Sequence, residues 1–80
     1  MTIEELRKHH QQRLFHAFDV CVAGGRTFPV EHPEFLAQSP SGRTIMIGLD
    51  DGTTEIIDLL LVTSLKVWAN GHKPRRRRGR

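Results

Sequence analysis

Thr44-Ile45-Met46-Ile47-Gly48-Leu49-Asp50-Asp51-Gly52-Thr53-Thr54-Glu55-Ile56-Ile57 is the stretch on which the fold turns. Ile45, Ile47 and Leu49 alternate with Thr44, Met46 and Gly48, the period of two that sends successive side chains to opposite faces of a strand. Asp50-Asp51-Gly52 is turn chemistry, since Asp bonds its own backbone and Gly accepts a positive φ. The chain then returns as a second strand through Thr53 to Ile57. Downstream, Asp58 interrupts the pattern and is placed to cap a single 3₁₀ turn at Leu59-Leu60. Leu61, Thr63, Leu65 and Val67 alternate with Val62, Ser64, Lys66 and Trp68, which predicts a last strand with Leu61 and Leu65 facing inward.

Upstream, Phe18, Val20 and Val22 alternate with Asp19, Cys21 and Ala23. Gly24-Gly25 turns this strand back into Arg26-Thr27-Phe28-Pro29-Val30, with Phe28 and Val30 facing the core. Pro29 cannot donate a ladder bond, so that strand belongs at an edge. His32-Pro33-Glu34 breaks the chain, Phe35 to Gln38 forms a short strand, and Ser39-Pro40-Ser41-Gly42 turns it. At the N-terminus Thr2 and Glu5 have capping-box spacing, and Ile3 and Leu6 begin an apolar stripe running towards Leu14. A short amphipathic helix over residues 3–13 follows, too short to stand alone. The expected fold is therefore mainly β with one N-terminal helix. Its sheet is read as a small five-stranded roll or barrel, SH3-like or Sm-like in the order of its parts.

Three segments carry a resemblance to a known group: His32-Pro33-Glu34-Phe35-Leu36, Ser39-Pro40-Ser41-Gly42-Arg43-Thr44 and Ile56-Ile57-Asp58-Leu59-Leu60-Leu61-Val62-Thr63. Over about residues 1–67 the chain resembles a family of short uncharacterised bacterial proteins. The resemblance implies a fold and no site.

Eighty residues make one domain, here residues 1–70, with residues 71–80 read as a disordered basic tail. Charge divides along the same line. Lys73, Arg75, Arg76, Arg77, Arg78 and Arg80 place six cations in the last eight residues, whereas residues 1–72 carry six cations against nine acids. A mildly acidic globule thus bears a cationic arm. Arginines on a tether bind polyanions by counterion release without reading sequence. The six tail cations are accordingly the candidate nucleic-acid contacts, weighed against a tail that merely solubilises.

Other chemistry is sparse. The five histidines lack zinc-ligand spacing, His9 and His10 pointing about 100° apart on the helix. Cys21 has only Arg26 nearby in sequence to activate it and reads as a small packed hydrophobe. Asp50, Asp51 and Asp58 do not match a calcium loop. Ser39 to Thr44 could cradle a phosphate, but its Ser and Gly also satisfy an ordinary hairpin turn. No metal, cofactor or small-molecule substrate is expected, and no enzyme. The single cysteine and the polar N-terminus predict a cytoplasmic chain, and the four-residue apolar run Leu59–Val62 is far short of the ~20 residues of a membrane span. The leading functional expectation is a non-enzymatic binding module touching nucleic acid through its tail. The second is a protein–protein assembly subunit, homo- or hetero-oligomeric.

Overall fold

The computed structural model describes residues 1–69. Thr2 opens helix α1 (Ile3–His10) through the full reciprocal capping box, its hydroxyl accepting from the Glu5 amide while the Glu5 carboxylate accepts from the Thr2 amide. Six strands follow: β1 (Phe18–Val22), β2 (Thr27–Val30), β3 (Leu36–Gln38), β4 (Thr44–Gly48), β5 (Thr54–Asp58) and β6 (Val62–Val67). A 3₁₀ turn at Pro33–Phe35 separates β2 from β3, and another at Leu59–Leu61 separates β5 from β6. Asp58 caps the second of these, accepting from the Leu60 amide at 2.9 Å.

The strands form two antiparallel three-stranded sheets, in the orders β2-β1-β6 and β3-β4-β5. The chain crosses from one sheet to the other at the two 3₁₀ turns. Their facing sides supply one core containing Phe18, Val20, Phe28, Val30, Ile45, Ile47, Ile57, Leu59 and Val62, on which α1 lays the fully buried Leu6. The mainly β architecture with one N-terminal helix is thus as the sequence predicts. Where the sequence suggests a five-stranded roll or barrel, the described residues form six strands whose ladders do not join into a closed ring. The break at His32-Pro33-Glu34 is the cause. Pro33 begins a helical turn there, and the chain leaves the first sheet before resuming in the second.

Two further expectations are corrected. Helix α1 ends at His10, three residues early, with the Gln11 amide closing the last turn on the Arg7 carbonyl. Gln11-Gln12-Arg13 offers nothing apolar to hold another turn on the core, and Leu14, read as the end of the apolar stripe, is 80% exposed. In the last strand the inward residue is Val62, whereas Leu61 is 52% exposed. A bulge opposite Cys21 and Val22 explains this: Cys21 pairs with Ser64 but Val22 pairs with Val62, so Thr63 is the extra residue. One inserted residue inverts the alternation on one side of itself. Leu65 lies partly buried against the core.

Candidate interaction surfaces

The six cations singled out from the sequence, Lys73, Arg75, Arg76, Arg77, Arg78 and Arg80, lie outside the described residues. Those on the body are scattered. Arg26 lies over the Phe28 ring at 5.2 Å, Lys66 stands opposite Asp19 across the β1–β6 pair, and Arg43 belongs to the turn before β4.

The residues weighed for site chemistry are mostly engaged in structure. Gln38 joins α1 to β3: its carbonyl oxygen accepts from Arg7 Nε at 3.2 Å, and its amide donates to His10 Nδ1 at 3.1 Å. The other ring nitrogen of His10 donates to the Pro33 carbonyl at 2.8 Å. His9 meets Phe18 edge-on, and His32 meets Phe35 likewise. No cluster of three or more metal-binding side chains occurs among the described residues. Cys21 is half-buried, with Thr27 and Ser64 as its cross-strand neighbours. Its carbonyl accepts from the Thr63 hydroxyl, which anchors the bulge.

In the Ser39–Thr44 turn the hydroxyls point at their own backbone. Ser39 Oγ accepts from the Thr44 amide at 3.1 Å and Ser41 Oγ from the Arg43 amide at 3.3 Å. Gly42 has φ +75°, and a Cβ there would sit 3.3 Å from Ile3 Cγ1. The turn therefore fits under α1, and Gly42 answers to both backbone and packing. In the β4–β5 hairpin Asp51 accepts from the Thr53 hydroxyl at 2.6 Å and from the Thr53 amide at 3.0 Å. These two bonds, the hydroxyl foremost, hold its carboxyl below the usual aspartate range.

Two surface features remain. The first is an open groove of about 560 Å³ between α1 and β6, lined by Met1, Glu5, Lys8, His9, Thr63, Ser64 and Leu65. The second lies on the outer face of the β3-β4-β5 sheet. Ala37 pairs with Met46 and Met46 with Ile56, so three apolar side chains stand in one row across three strands. All three are exposed, Ile56 to 68%. Beyond β5, Leu60 is 80% exposed beside the half-exposed Leu61. The sequence held a signal for this row. Ile56 and Ile57 are adjacent in a strand, and a period of two allows only one of them inside.

The backbone at the outer edge of β5 is also open. The Leu49 amide donates to the Thr53 carbonyl, and the Leu59 amide donates to the Arg43 carbonyl, bracketing the β4–β5 ladder. Antiparallel bonds alternate, so residues 53, 55, 57 and 59 address β4 while Thr54, Ile56 and Asp58 turn their peptide groups outward. No described strand pairs with that side.

No helix of the described residues is long and apolar enough to cross a membrane. No family model, curated protein or solved structure matches the chain.

Proposed function

We propose that this chain works by binding rather than by catalysis, as an assembly subunit whose contact surface is the outer face of the β3-β4-β5 sheet. The observation that carries this reading is the exposed row Ala37, Met46 and Ile56. Single exposed apolar residues are ordinary, whereas a contiguous row on a small domain marks a surface with a partner. The order of parts supports an SH3-like or Sm-like roll as well. If β2 and β3 are the two arms of one strand bent at Pro33, the six strands become five, with a 3₁₀ turn before the last. The resemblance to short bacterial proteins and the single cysteine agree with a cytoplasmic setting.

A second reading keeps the tail as a non-specific nucleic-acid contact. Its support is the charge division alone, a net negative body ahead of six cations in eight residues. One capture experiment separates the two. Full-length chain, a Met46→Asp variant and a chain lacking residues 73–80 serve as bait, each with and without nuclease. The assembly reading expects a protein partner that survives nuclease and tail removal and is lost with Met46→Asp. Capture that needs the tail and disappears with nuclease would replace it with the second reading.

A further inference from the structure

We infer that the partner at this surface is a second copy of the same chain, joined by antiparallel pairing of two β5 edges about a two-fold axis at Ile56. The inference rests on the assembly reading and supplies its occupant.

The four strands at the sheet borders are not alike. β2 carries Pro29, which offers no donor. β6 carries the Thr63 bulge and Lys66, two devices that discourage edge pairing. β3 is only three residues long, and its Gln38 is tied to α1. β5 has five residues and neither proline, lysine nor bulge. It is the undefended edge.

Its sequence is complementary to itself. In the register that sets Ile56 opposite its own copy, Thr54 falls opposite Asp58 and Asp58 opposite Thr54. These three residues are the ones whose peptide groups face outward. The outward groups of Ile56 pair with those of its copy and each Asp58 amide donates to the Thr54 carbonyl opposite, about four inter-chain bonds, while the Asp58 carbonyl already accepts from Leu61 in the 3₁₀ turn. The two Asp58 carboxylates lie at opposite ends of the joint ladder, and each faces a hydroxyl rather than a like charge. A shift of two residues towards the C-terminus sets Ile56 against Asp58, and one towards the N-terminus leaves Asp58 beyond the partner strand. The symmetric register also joins the two apolar rows. Ala37, Met46 and Ile56 of one chain continue into Ile56, Met46 and Ala37 of the other across a six-stranded sheet. An isologous contact of this kind closes on itself and does not propagate.

The test is sedimentation equilibrium of the purified full chain from about 1 µM to 1 mM, the range of moderate and weak self-association. Twice the chain mass at the upper end is expected. Ile56→Lys, at an exposed position, should give a monomer with an unchanged circular dichroism spectrum, since two lysines would meet on the axis. Thr54→Glu should weaken association by about tenfold and Thr54→Lys should strengthen it, because residue 54 faces Asp58 twice per dimer. A full chain that stays monomeric throughout overturns the inference, and so does a dimer indifferent to both positions. If the chain is monomeric alone yet still captures a different protein in a Met46-dependent manner, the second copy is excluded and the assembly reading stands.

Discussion

At the scale of single residues, neighbouring leucines and valines of the last segment have opposite fates. Ile45 and Ile47 are fully buried, as their alternation predicts. Ile→Ala at either should cost about 2–5 kcal/mol, a large part of the stability of so small a domain. Leu61→Ala should cost less than about 1 kcal/mol, because that side chain is half in water, whereas Val62→Ala should approach the ~1.5–3 kcal/mol of a buried valine. Denaturant melts of the four variants check the contrast, and equal losses at positions 61 and 62 would contradict the bulge. Nothing in Leu59-Leu60-Leu61-Val62 marks which two face inward, because a 3₁₀ turn and an inserted Thr63 both shift the phase. Asp51 makes a second test. Its folded carboxyl lies below its unfolded value, so the stabilisation is present above the unfolded carboxyl range of about 3.9 and is lost as pH falls through the lowered folded value. Thr53→Val removes the main cause and leaves the amide bond. Titration of the Asp51 side chain by NMR should show it moving partway back towards the ordinary range.

At the scale of elements, strands were easier to read than their assembly. β1, β2 and β4 follow from strict alternation between glycine or proline turns, and local rules suffice there. The separation into two sheets is decided by where Pro33 sends the chain, a long-range outcome that alternation does not encode. The exposed row was likewise only half visible. Ile56-Ile57 shows that one isoleucine lies outside, but its alignment with Met46 and Ala37 depends on register across three strands. Helix α1 is legible at its start and not at its end, since the capping box is local whereas its last turn depends on Gln38 and Pro33. Thr2→Ala should cost about 0.5–2 kcal/mol. Gly42→Ala should also destabilise, since it combines a positive φ with a contact to Ile3 that must give way. If α1 docks through this turn, the second substitution should speed hydrogen exchange of the α1 amides as well as lower the melting temperature. Exchange confined to residues 39–44 would contradict that coupling.

At the scale of the whole molecule, charge and packing occupy different parts of the chain. Removing residues 73–80 takes away six cations and leaves the core residues named above in place. If the tail binds nucleic acid through about four to six phosphate contacts, log K should fall with log salt at a slope of roughly −3 to −5 for the full chain. The truncated chain should show a much flatter slope and a nearly unchanged melting temperature. Salt titrations with duplex and single-stranded probes check this. Undiminished binding by the truncated chain would move the contact to Arg26, Arg43 and Lys66. The cations of the tail are plain in the sequence, whereas the open β5 edge emerges only once hydrogen-bond direction is known.

The pairing of β1 with β6 also bears on how the molecule comes together in time. Gln38 meets Ile45 and Ile45 meets Ile57 within short loops, but Val20 meets Leu65 only after nearly the whole described chain has been made. Closing a long loop costs entropy before any contact repays it, so the β3-β4-β5 meander is expected to form first and β6 to dock last. In chevron kinetics Ile45→Val should chiefly slow folding, while Val62→Ala should chiefly speed unfolding. On a ribosome the consequence is a waiting period. Phe18 to Val22 holds one neighbour in β2 and leaves its other side unpaired until residues 62–67 emerge, so the nascent chain carries a vacant strand position in its first sheet until then.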